Sequence, residues 1–210
     1  MFNSVRPASR RVKYYSIIFA SVLAVAAAGC KYIMPVDTTP LDVVGMNYDS
    51  IEELKALKIT APEVPEIAKA KQGRMSDSGC VALLKIFRSR NAAFNAGDAV
   101  ASLMQVGSGE DTILELAKLN QLGLGTGELQ AMRLAGLPDE ILLVVAEHRA
   151  EGKPVLSGAS LAKLKNTGLR ESTLLDLAQR GVPDSQASAI VSSRRSGASD
   201  AEVLRRFTGS

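Results

Sequence analysis

Thiols and imidazoles are the side chains most ready for nucleophilic, acid–base or metal chemistry near neutral pH. These 210 residues carry two cysteines, Cys30 and Cys80, and one histidine, His148. A catalytic thiol needs a base beside it. Cys80 stands instead in the apolar run Cys80-Val81-Ala82-Leu83-Leu84, which suits a small buried residue, and His148 is far along the sequence. His148 falls beside the stripe Ile141, Val144, Val145. It has no second histidine and no carboxylates at ligand spacing, so it reads as a boundary residue near a helix end. No phosphate-binding Walker loop, nucleophile elbow, zinc-protease motif or dinucleotide fingerprint occurs. The expectation is a chain that is not an enzyme, with no catalytic, cofactor-binding or metal residues and no small-molecule substrate indicated.

Cys30 has a different setting. Residues 1–13 are positively charged, with Arg6, Arg10, Arg11 and Lys13. A 16-residue weakly polar stretch from Tyr14 to Gly29 follows, shorter than the roughly 20 apolar residues a membrane span needs. This charged, then apolar, then small-residue order is that of a secretory signal over 1–29. Ala27-Ala28-Gly29-Cys30 resembles the lipobox of bacterial lipoproteins, although Ala27 stands where that family usually has leucine. The resemblance implies peptidase recognition at Ala27, Ala28 and Gly29. It further implies a diacylglycerol and an N-acyl group on Cys30, such as palmitate, and no other cofactor. The resulting location is the bacterial envelope, exported and membrane-anchored, facing the periplasm or in the outer membrane. Ordinary cleavage after Ala28 also fits the small-x-small pattern. Ser9-Arg10-Arg11 resembles a twin-arginine export signal, with Lys13 and Tyr14 where that family has Phe and Leu.

Charge supports this division. The chain holds 25 Lys+Arg against 22 Asp+Glu, net +3. Four bases and no acid lie in residues 1–29, leaving 21 bases against 22 acids. The excess thus belongs to the segment expected to be removed. The remainder gives no electrostatic reason for a nucleic-acid partner.

Elements must now hold the rest together. Residues 30–49, with Pro35, Pro40 and Gly45, read as a lipidated start and a flexible tether. From Ser50 to the end the sequence predicts an all-α domain, an irregular array of short helices. Ser50…Glu53, Thr60…Glu63, Ser108…Asp111 and Ser199…Glu202 have capping-box spacing. Pro138 and Pro183 fit first helical turns. Glycines such as Gly73, Gly107, Gly123, Gly136, Gly168 and Gly197 read as helix stops. Residues 116–152 align without a gap onto 161–197, with 12 identities in 37 positions. Arg149 then pairs with Arg194, and Asp139 with Asp184, which reads as charge complementing helix dipoles. A more degenerate copy lies near 77–117, and Gly97 to Ala117 matches Gly158 to Ala178. Single short helices cannot bury their stripes alone, but stacked ones can.

Leu119-Asn120-Gln121-Leu122-Gly123-Leu124-Gly125, followed by Leu129 and Met132, resembles a helix-hairpin-helix DNA-binding element. In that family a Gly-hydrophobic-Gly hairpin presents N–H groups to phosphate, and Gly123, Leu124 and Gly125 match it. Leu129 replaces the usual small residue, and Thr126-Gly127-Glu128 stands where a base commonly follows. The favoured expectation is a membrane-anchored, non-enzymatic protein-interaction or structural module. It looks like the bacterial lipoproteins that carry short helical-hairpin repeats. Extracytoplasmic DNA binding through 119–132 is the alternative.

Overall fold

The computed structural model describes residues 36–123 and 126–209. These residues form twelve α-helices, one 3-10 turn and no strand, so the expected all-α class is observed. The helices run as six successive hairpins. These are α1 Thr39–Val43 with α2 Tyr48–Ala56, and α3 Glu63–Gln72 with α4 Asp77–Ser89. Next come α5 Gly97–Gln105 with α6 Glu110–Lys118, and α7 Thr126–Leu134 with α8 Asp139–Ala150. Last are α9 Gly158–Lys165 with α10 Glu171–Gln179, and α11 Ala187–Arg195 with α12 Asp200–Thr208, the 3-10 turn Asp184–Gln186 leading into α11. Odd-numbered helices pack on odd neighbours and even on even, which makes two stacked layers sharing one core. One apolar cluster runs from Leu41 to Val203, the continuous burial that stacked repeats require.

The helical body starts before Ser50. Pro40 sits in the first turn of α1, Leu41 is fully buried and Met46 nearly so. Residues 36–49, expected as tether, therefore supply α1 and the turn into α2. The proline that suggested extended chain also suits a helix start.

Helix ends follow one device. The N–H of Ser108 bonds the carbonyl of Leu103, that of Leu137 bonds Met132, and that of Val182 bonds Leu177. This six-residue closure requires a left-handed residue between. Gly107, Gly136 and Gly181 supply it at φ +86°, +74° and +67°. At two expected glycine stops a neighbour does so instead, Arg74 for Gly73 and Asn120 for Gly123. Of the expected capping boxes, Ser199…Glu202 is complete. Ser50 lies inside α2, whose cap is Asn47, and the Ser108 hydroxyl is buried without a partner. Pro138 and Pro183 stand at cap positions, one residue before the first turn.

Contacts between hairpins explain why local capping boxes are dispensable. In the even layer, the first residue of one helix is a carboxylate that accepts the cap N–H of the preceding even helix. Asp77 accepts from Asn47 (2.9 Å), Glu110 from Ser76 (2.8 Å), Asp139 from Gly109 (2.7 Å) and Asp200 from Arg170 (3.0 Å). These contacts satisfy orphan helix-end donors across the stack. The missing rung has a covalent cause. Glu171 would face Pro138, which has no N–H, and it pairs with Lys165 Nζ instead (2.5 Å).

The same contacts correct the repeat. Arg133 donates to the carbonyls of Leu137 and Gly107 and pairs with Asp139. Arg194 donates to Ala198 and Gly168 and pairs with Asp200. Thr112 bonds Asp139 as Thr173 bonds Asp200. The structurally equivalent segments thus continue the Gly97/Gly158 match. The 116–152 to 161–197 alignment instead sets α6 on α9, α7 on α10 and α8 on α11, so each pair crosses layers. Arg194 and Asp200 correspond to Arg133 and Asp139, rather than Arg149 matching Arg194 and Asp139 matching Asp184.

Candidate functional site

The residues expected to carry lipid chemistry, Ala27, Ala28, Gly29 and Cys30, lie outside the described residues, as do Leu124 and Gly125 of the hairpin-like element. The described part of that element runs from the end of α6 to α7. Asn120 takes φ +58°, Leu122, Leu129 and Met132 are buried, and Gly123 is exposed. Its Glu128 is engaged inside the stack, accepting from Arg149 Nη2 (2.5 Å) and from the Gly158 N–H. The element joins two hairpins rather than standing as a unit of its own.

Cys80 is fully buried in α4, and burial pushes its thiol up to about 12. A thiol so held is a core residue, not a nucleophile. His148 is half-buried in the last turn of α8, its Nδ1 3.2 Å from the Pro154 carbonyl, as a boundary histidine would be. Met75 and Met132 are buried and Met104 packs against the core. Among the described residues no three His, Cys, Asp or Glu side chains gather where they could hold a metal.

The most elaborate polar cluster lies where α2, α3 and α4 meet. Glu63 is 1% exposed. The Arg88 guanidinium grips it in a fork, Nη1 to Oε1 at 2.7 Å and Nη2 to Oε2 at 2.5 Å. Glu63 also accepts the N–H of Thr60, the Thr60 hydroxyl and the N–H of Phe94. Arg88 donates further to the carbonyls of Leu57, Lys58 and Ala92. Burial works to raise the Glu63 carboxyl, but Arg88 and the N–H donors more than offset it and hold it at about 2. Every partner is on a loop or helix end, so the pair staples two interhelix connections together. Glu63 was legible as a capping residue. The long-range partner was not.

A cavity of about 550 Å3 opens among α4, α5, α6 and the connection after α6. Gly123 lines it, with Phe87, Arg90, Asn95, Ser102 and Asn120. Asn120 and Gly123 belong to the hairpin-like element, and the other four carry no sequence motif. Phe87 meets Phe94 edge to face, their ring centroids 5.1 Å apart. Among the described residues three large apolar side chains also stay exposed, Val43 (80%), Tyr48 (71%) and Leu134 (77%). All flank the turns that join the two helices of a hairpin, which line one edge of the stack.

Comparison with family models, with curated proteins and with solved structures finds no match to this chain.

Proposed function

We propose that this chain is a lipid-anchored envelope protein whose two-layer helical array binds another protein and performs no catalysis. What carries the reading is a pairing of features in one chain. Cys30 directly follows Ala27-Ala28-Gly29 behind a charged and then an apolar segment, and the chain beyond it builds a stacked helical array. Stacked arrays present extended surfaces suited to macromolecular partners. Val43, Tyr48 and Leu134 on the turn edge give such a surface apolar anchor points. Acyl chains would hold the protein at the membrane, each buried methylene contributing about 0.8 kcal/mol.

Two measurements test the proposal. Cells expressing the wild type should incorporate labelled fatty acid into the protein, and Cys30→Ala should incorporate none. Label retained in Cys30→Ala refutes the anchor. In-cell crosslinking of the anchored wild type, read by mass spectrometry, should capture a defined protein through the turn edge, with capture lost in Tyr48→Ser combined with Leu134→Ser. Capture of DNA instead, weakened by Gly123→Pro, would favour the hairpin reading and overturn this one.

A further inference from the structure

Arg90 caps the C-terminal end of α4. Its guanidinium lies 4.9 Å from the centre of the Phe87 ring. Its Nε, Nη1 and Nη2 are all buried, and none has a hydrogen-bond partner. A guanidinium carries five N–H donors and a permanent charge. Buried charges in folded proteins are paired, because an unpaired one costs several kcal/mol. The ring face returns only a part of that through cation–π attraction. Arg90 is thus a binding group without its counter-charge.

The surroundings fit that reading. Arg90 lines the cavity of about 550 Å3 together with Asn95, Ser102 and Asn120. The one carboxylate along the lining, Asp98, is committed elsewhere. Lys69 Nζ holds it at 2.8 Å, and its side chain is 80% exposed. Ala99 and Leu122 add apolar wall. The volume lies within the roughly 300–1,000 Å3 of small-molecule sites, far more than a bare ion fills.

We propose that this cavity binds a small organic acid, and that the Arg90 guanidinium, enclosed against the Phe87 ring in this structure, turns into the cavity to receive its carboxylate or phosphate head. Asn95, Ser102 and Asn120 supply hydrogen bonds to the rest of the ligand. Carboxylate and phosphate both match the planar fork, so the head group is decided by experiment. The proposal does not depend on lipidation or on the protein-binding edge.

The test uses the purified full chain. Thermal unfolding is followed by circular dichroism in chloride buffer, then with sodium phosphate or sodium acetate at matched ionic strength. In the wild type at least one of these anions should raise Tm, by about 3–6 °C at tenfold excess over Kd. The anion with the larger shift identifies the head group. Arg90→Met keeps an apolar stem and should lose the anion-dependent rise. Arg90→Lys, which keeps charge without the fork, should show less than half the wild-type shift. An absent shift in the wild type, or an equal shift in the variant, overturns the site.

Discussion

Two arginines at the same helix end live in opposite circumstances. Arg88 and Arg90 both close α4, where a cation is favoured by the helix dipole. Arg88 grips the buried Glu63 carboxylate and three backbone carbonyls. Arg90 holds its three buried nitrogens over a phenyl ring with no acceptor. The first arrangement is closed, with every polar group answered inside the fold. The second is left unanswered, and the fold leaves a cavity beside it. The difference separates a guanidinium that serves the fold from one that awaits something outside it.

Breaking the closed site should produce the largest effect. Arg88→Met leaves Glu63 buried without its counter-charge and should cost about 3–5 kcal/mol of unfolding free energy, measured by urea denaturation. A loss below about 1 kcal/mol would show that the fork contributes little and that the contrast with Arg90 is overdrawn.

Acid should sharpen the same contrast. Glu63 titrates at about 2 in the folded chain against 4.5 for the ordinary carboxyl. Its contribution is therefore fully present above pH 4.5 and lost as pH falls through 2. The urea midpoint should decline across that window. Glu63→Gln should flatten the decline, leaving the smaller slope from Asp77 and Asp200, whose carboxyls the stack also holds below the usual range. An unchanged slope in Glu63→Gln would detach the acid response from this pair.

Smaller effects distinguish frame from charge around the Arg90 cavity. A methyl group on Gly97 would land on the backbone of Glu66, where α5 meets α3. Gly97→Ala should therefore cost about 1–3 kcal/mol by overpacking. At Gly123, on the cavity rim, a methyl would meet nothing within 4 Å, and Gly123→Ala should stay within about 0.5 kcal/mol of wild type. Equal losses at the two glycines would mean that the rim is packed more tightly than its geometry indicates.

How much of this was legible in the sequence follows from which interactions are local. The all-α class, the buried Cys80 and the boundary His148 could be read because apolar stripes and glycine stops are local signals. The phase of the repeat could not be. Helices of both layers bury similar stripes and are followed by a left-handed residue, so Leu116-Ala117-Lys118-Leu119 matches Leu161-Ala162-Lys163-Leu164 although one lies in the even layer and the other in the odd. The rungs from Asp77, Glu110, Asp139 and Asp200 escaped for a related reason. Each carboxylate looks like ordinary first-turn acid, while its partner is a cap N–H in the preceding hairpin. Arg90 showed no signal at all, since a base at a helix end is explained locally whether or not it is paired. Only the three-dimensional inventory of donors distinguishes it from Arg88.

The two guanidiniums can be set against each other in one measurement, the unfolding free energy of Arg88→Met and Arg90→Met in phosphate-free chloride buffer. The account predicts opposite signs. Arg88→Met loses stability, and Arg90→Met gains about 1 kcal/mol or more by removing an unanswered buried charge. Loss of stability in both variants would contradict it, because Arg90 would then be serving the fold as Arg88 does.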